Sequence, residues 1–227
     1  MPTTGETAVA TPDLLTRIRA LTWGDLDTLS TELPPLLAEL ANDPEWLTAA
    51  MDNLRRTSEL RDLSERLAEL DKLVLVNDAD SGVRIRLHRF RQGYFDRPHN
   101  HRFTFGAHIL IGGYRHTVYG DFPNPEKHFD IAEVKPTLIR REGAGASYVI
   151  GHTLVHSVAA EPETLTLTVR GPAQKDRMLI VDREQGKYWW QFGVKNENPA
   201  EVAARRLTDD QLDETVQALR DSGLIPS

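Results

Sequence analysis

Apolar residues recur at helical spacing along the first third of the chain and at alternate positions along most of the remainder. Leu14, Leu15, Ile18 and Leu21 form one stripe, and Leu36, Leu37 and Leu40 continue it after Pro34-Pro35. Leu60, Leu63, Leu67 and Leu70 form another, over Ser58 to Leu70, with charged residues opposite. Thr11-Pro12-Asp13 and Asp43-Pro44-Glu45 supply starts, a capping residue followed by proline at the first helical position. Residues 11–71 are therefore expected to be helices that pack on a larger unit or serve as a homodimer surface. Residues 1–10, rich in Thr, Gly and Ala, read as a disordered tail.

The period changes near Lys72. Leu73–Val76 and Val83–Phe90 alternate as half-buried strands do, and similar runs recur at short intervals. They are Phe103–Ile111, Tyr114–Tyr119, Val134–Arg140, Tyr148–Ile150, Val155–Ala159, Thr164–Arg170, Arg177–Val181 and Lys187–Phe192. Turn signals such as Gly112-Gly113, the Asp121–Pro125 segment, Glu161-Pro162 and Gly171-Pro172 separate them. Many short strands between turns predict an antiparallel sandwich or barrel, placed at residues 72–195. The chain then returns to helix over 196–227, where Thr208 and Gln211 make a capping box and Gly223 a stop.

Composition narrows the chemistry. With 227 residues, 40% hydrophobic and 27% charged, one sizeable domain can bury a core. The chain has no cysteine, which excludes disulfides, thiolate metal sites and cysteine nucleophiles. No basic-then-apolar leader and no run of about 18 apolar residues is present, so a cytoplasmic protein with no membrane partner is the expectation. A net charge of −7 argues against a nucleic-acid partner. Yet residues 81–120 hold seven arginines and a single acid, Asp96, a local excess that suits a small anion.

Two of only eight histidines stand one residue apart in "RPHNHRFTF", residues 97–105. In extended backbone His99 and His101 share a face and can converge on one point, alongside Phe103 and Phe105 as an apolar wall. The residues "GASYVIGHTLVHSV", 145–158, supply two more, His152 and His156. Together, "RLHRFRQGYFDRPHNH" and "SYVIGHTLVHSV" resemble the two motifs of the cupin family over roughly residues 72–192. The resemblance implies a double-stranded β-helix (jelly-roll) barrel. It also implies a metal held by His99, His101 and His156, the last falling eight residues after Tyr148 as in the second motif. The first motif's usual glutamate is absent, since Phe105 and Gly106 stand there. The remaining three-histidine set looks like that of the cupin thiol dioxygenases, cysteine dioxygenase and its relatives. That likeness implies Fe(II) and O2, although an all-imidazole site equally suits Zn, Cu or Ni; Zn, Mn and Ni are the alternative ions.

The likeness stops short of substrate specificity. Where those enzymes carry a Ser-x-His-x-Tyr series, this chain reads Thr164-Leu-Thr-Leu-Thr-Val-Arg170. Their upstream carboxylate-binding arginine is replaced by Leu73-Val-Leu-Val-Asn77. Arg84, Arg86 and Arg170 are the candidates for clamping a carboxylate, with His152 at the cavity mouth. His116, Tyr114 and Tyr119 are candidates for proton management. His108 has the wrong parity and is expected to face away, and His88 and His128 have no assigned role. Trp189, Trp190 and Phe192 could cap a pocket but read more readily as packing residues.

The expected function is a mononuclear non-haem iron oxygenase acting on a small anionic, amino-acid-like substrate. Two other classes share the pattern. One is a redox-silent isomerase, lyase or hydrolase using Zn, Mn or Ni, and the other a non-enzymatic small-molecule-binding cupin.

Overall fold

The computed structural model describes residues 12–122, 129–193 and 197–226. The expected tail at 1–10, the cap at Thr11 and His128 lie outside them. Among the described residues four helices come first: α1 (Pro12–Arg19), α2 (Leu26–Ala41), α3 (Pro44–Arg56) and α4 (Ser58–Asp62). Asp25 caps α2 by accepting from the Asp27 and Thr28 amides, and Asp43 caps α3 through the Trp46 amide. Helix α2 runs straight through Pro34-Pro35 rather than starting after them. Prolines remove amide donors, but Leu29, Leu33, Leu36, Leu37 and Leu40 are all buried, and that packing holds the helix together.

Twelve strands come next: β1 (Glu65–Arg66), β2 (Leu70–Asn77), β3 (Arg84–Phe90), β4 (Tyr94–Phe95), β5 (Phe105–Ile111) and β6 (Gly113–Asp121), then β7 (Leu138–Gly143), β8 (Ser147–Ile150), β9 (Leu154–Ala160), β10 (Thr164–Arg170), β11 (Arg177–Asp182) and β12 (Lys187–Phe192). A 3-10 turn, Ile131–Glu133, precedes β7, and α5 (Pro199–Ala204) and α6 (Asp209–Asp221) close the chain. The Thr208–Gln211 capping box is formed in both directions, and Gly223 takes the left-handed conformation after α6.

One sheet has the order β1-β2-β3-β10-β5-β8 and the other β4-β9-β6-β7, with every pairing antiparallel. Eight of these strands, β3 to β10, interleave as two four-stranded halves, β3-β10-β5-β8 facing β4-β9-β6-β7. That order is a jelly roll. The β11–β12 hairpin is attached beside the 97–101 segment through a bridge between His99 and Ile180.

Two expectations change. The stripe from Leu60 to Leu70 is not one helix, because α4 ends at Asp62 and the chain turns back at Leu67, whose amide donates to the Leu70 carbonyl at 2.9 Å. Leu70 then pairs with Phe90 and packs inside the barrel, so strand pairing overrides a spacing that also suits a helix. Residues 97–104 are likewise irregular backbone, with β5 beginning only at Phe105.

The helices cover the outer face of the six-stranded sheet. Ile85, Leu87, Leu165, Leu167 and Val169 point into a core shared with Leu29, Leu33, Leu37, Met51 and Leu54. Helix α2 approaches so closely that a Cβ on Gly106 would meet a Leu33 methyl at 2.6 Å. No helix among the described residues is long and apolar enough to cross a membrane.

Candidate metal centre

The alternate residues of these strands face inward. Arg86 and His88 on β3, Thr166, Thr168 and Arg170 on β10, and Phe105 and Ala107 on β5 line a cavity of about 350 Å³. On its opposite wall stand His99, His101 and His156. One ring nitrogen of each lies within 4.8 Å of the others, with His101 Nε2 and His156 Nε2 2.7 Å apart. Two imidazole nitrogens so close need a proton or a cation between them. Ring contacts from Phe105 (4.6 Å between centroids) and Phe103 (5.8 Å) keep His101 in an apolar setting.

Backbone pairing sets this convergence. The His99 amide donates to the His156 carbonyl and the His156 amide to the His99 carbonyl, both at 2.9 Å, which locks the irregular 97–101 segment against β9. Between the two histidines, fully buried Asn100 accepts the Leu179 amide at 2.8 Å and ties the segment to β11. The ligand run is thus fixed on both sides without being a regular strand.

The second ring nitrogens of His99 and His156 are also held. His99 Nδ1 donates to the Arg97 carbonyl at 2.8 Å and faces Asp96 at 3.1 Å. His156 Nδ1 lies 2.9 Å from His116 Nε2, and His116 Nδ1 lies 3.3 Å from Glu142. If His156 presents Nε2 to the cavity, its Nδ1–H donates to His116, whose Nδ1–H then donates to the Glu142 carboxylate. Arg140 in turn pairs with Glu142. Such partners orient ligand imidazoles and raise their basicity. Burial, followed by neighbouring histidines, pushes His101 and His156 well below the usual imidazole range, so both stay neutral and able to ligate. The donor set therefore fits a metal ion of bond length ~2.0–2.1 Å.

The other sequence candidates separate. Tyr114 lines the cavity, and its hydroxyl meets that of Tyr148 in a short hydrogen bond. Burial pushes both phenols up. His116 does not line the cavity and stands behind His156. Tyr119 is corrected: it points to the far side of its sheet, where its hydroxyl meets Ser157 at 3.2 Å in a cluster with Val134, Leu179 and Val181. The bulge between Val118 and Gly120 and its odd offset from His116 give it that opposite face. His152 is also corrected, because the tight turn before β9 holds it beside Gln174 and not among the cavity-lining residues. Arg84 is tied to Asn77 at 2.9 Å, beyond the lining. His108 bonds Ser147 on the outer side of β5. Phe192 lines the cavity; Trp189 and Trp190 do not.

Sequence reasoning missed Lys72 and left His88 without a role, though both line the cavity beside Arg86. Lys72 and His88 are a cross-strand pair, and Thr166 completes the row. A sequence signal for Lys72 existed: Leu70 and Lys72 alternate with Asp71 and Leu73 on a strand whose outer face is largely apolar. Glu142 had no sequence signal at all.

No protein-family model and no curated protein matches the chain. Among solved structures it is similar to an RmlC-like cupin from Shewanella frigidimarina, at 16% identity and a TM-score of 0.37, over 50% of this chain and 86% of that one. It is also similar to the DMSP lyase DddQ from Ruegeria pomeroyi, at 14% identity and 0.38, over 52% of this chain and 56% of that one. Salicylate 1,2-dioxygenase from Pseudoaminobacter salicylatoxidans gives 15% identity and 0.36, over 56% of this chain and 31% of that one.

Proposed function

We propose that this chain is a mononuclear non-haem metal-dependent enzyme, an iron oxygenase acting on a small anionic, amino-acid-like substrate. One observation supports it above the others. Three imidazoles converge at one wall of a cavity whose other wall is cationic. His99, His101 and His156 would hold the ion. With no acidic ligand beside them, it would keep its full double charge and open positions for substrate and O2. When bound, the ion supplies the redox or Lewis-acid chemistry. The choice of iron rests on the likeness of the motif pattern to three-histidine dioxygenases.

The chain's own residues then do the rest. Phe103 and Phe105 exclude water beside His101. The Tyr114–Tyr148 hydroxyl pair places a proton donor at the cavity surface, held protonated at neutral pH by burial. His116 and Glu142 position His156 and touch no substrate. Arg86 would orient the anionic group; Arg170 lines the cavity but is turned to the Gly82 and Gly171 carbonyls.

The test is metal analysis after anaerobic loading with Fe(II), wild type beside His156→Ala, followed by oxygen-uptake screens on amino-acid-like anions. About one iron per chain, lost in the variant, with substrate-dependent oxygen uptake, is the expected result. Stoichiometric zinc, manganese or nickel purified with active protein would overturn the oxygenase reading in favour of Lewis-acid chemistry. No metal in either protein would leave a binding module.

A further inference from the structure

The cavity lining carries four cationic side chains, Lys72, Arg86, Arg102 and Arg170, against three carboxylates, Glu65, Asp96 and Glu197. All three carboxylates are already engaged. Glu65 and Glu197 both pair with Arg205, while Asp96 accepts from Tyr94 at 3.1 Å and faces His99 at 3.1 Å. Arg170 is turned to the carbonyls of Gly82 and Gly171 and stacks on Phe103 at 4.8 Å. Lys72, Arg86 and Arg102, by contrast, form no side-chain ion pair or hydrogen bond with any described residue, and of these Lys72 and Arg86 are neighbours on paired strands. Arg86 Nε and His88 Nε2 are buried without any hydrogen-bond partner.

Two neighbouring cations that feel Glu65 and, for Lys72, Asp96 only from beyond ion-pair distance are unfavourable in a folded protein unless a ligand completes them. They repel each other and, together with burial as the larger cause, keep neighbouring His88 uncharged. Burial, then Arg86, lowers the Lys72 pKa, while burial and Arg84 bring Arg86 down to about 10, so Arg86 stays charged at neutral pH. Lys72, on β2, and Arg86, on β3, belong to the six-stranded sheet, whereas His156 belongs to the four-stranded one. The facing sheets of such a barrel lie about 10 Å apart, and both the cations and the histidines line the cavity of about 350 Å³ between them.

We propose that Lys72 and Arg86 form a second anion subsite facing the three histidines, so that the substrate is a short dicarboxylate with one carboxylate directed to the metal and the other clamped by this pair. The proposal rests on the metal-dependent reading above and adds the charge and shape of its substrate. His88 supplies a further polar contact, and Thr166 and Thr168, the register partners of His88 and Arg86, line the cavity beside them. A monocarboxylate of equal length would leave one pole unpaired.

The experiment titrates succinate and butyrate into metal-loaded wild-type protein by calorimetry, and repeats this with Lys72→Met, Arg86→Met and the charge-keeping Lys72→Arg. Succinate is expected to bind at least 10-fold more tightly than butyrate. Each methionine variant should lose most of that preference with metal content unchanged, and Lys72→Arg should keep part of it. The ligand-free methionine variants should melt at or above the wild-type temperature, because an unpaired buried charge has been removed. Equal binding of the two acids to metal-loaded wild type would overturn the subsite and leave the metal-dependent reading standing. A lowered melting temperature in both methionine variants would overturn it too, by showing a structural role. If the wild type takes up no metal, the functional reading fails. Succinate binding to that metal-free protein, lost in Lys72→Met, would then still support the clamp, and its absence would overturn it.

Discussion

Strands β3 and β10 carry opposite chemistries on their two faces. Outward, Ile85, Leu87, Leu165, Leu167 and Val169 are almost wholly buried under the helices. Inward, on the alternate positions, Arg86, His88, Thr166, Thr168 and Arg170 line the cavity. Because the side-chain period is two, the same backbone ladder serves both faces, and neither can be changed by slipping register without exchanging the two sets. The outer face supplies stability, and the inner face spends part of it on polar groups poised for a ligand. Sheets built this way keep a reactive interior only because helices cover the other side.

The comparison is broken most forcefully from outside. Leu87 has no exposed surface and sits between Leu73 and Leu167 in the ladder. Leu87→Ala should lower stability in urea by about 2–5 kcal/mol while leaving metal stoichiometry unchanged. A variant that lost metal as well would show that the two faces are not independent.

The next largest effect lies behind the inner face. Removing the carboxylate at the end of the His156–His116–Glu142 line, in Glu142→Ala, should weaken metal affinity by about 10–100-fold with little change in fold, as competition with a chelator would measure. Glu142→Gln, which keeps an acceptor for the His116 Nδ1–H, should recover much of it. Equal affinity in all three proteins would remove Glu142 from the site.

Acid should act on the inner face first. His88, His101 and His156 are each held well below the usual 6.5 by burial, so in metal-free protein they stay neutral while the unfolded chain binds protons. Between the depressed folded values and about 6.5 the unfolded state carries more protons. Stability is therefore complete above that pH and falls as the pH drops below it, by about 1.4 kcal/mol per pH unit for each proton taken up. Melting curves from pH 7.5 to 5 should show that slope, and bound metal should flatten it. A flat profile in the metal-free protein would mean that these histidines are solvated.

The smallest effect sharpens the contrast. Ile85→Val removes one methylene from the outer face and should lower stability by about 0.5–1.5 kcal/mol with no change in ligand or metal binding.

The switch from a helical period to a period of two near Lys72 and the shared face of Thr166, Thr168 and Arg170 were legible along the chain, because each depends on local spacing and on the alternation of a strand. The three-histidine set was named only through the family resemblance, and residues 97–104 meet His156 without forming a strand. The end of α4 was not legible, since Leu63, Leu67 and Leu70 satisfy helical spacing and only the pairing of Leu70 with Phe90 shows otherwise. Nor were the positions of His152 and Tyr119, which a tight turn and a bulge decide. What the sequence by itself determined is the kind of residue each face presents, since period and composition are properties of neighbouring positions. Only the tertiary structure decided who meets whom: Glu142 behind His116, Tyr114 against Tyr148, and Lys72 beside Arg86 without a direct ion pair. Those pairs lie on different strands, and their meeting is set by sheet order and register, which no local pattern encodes.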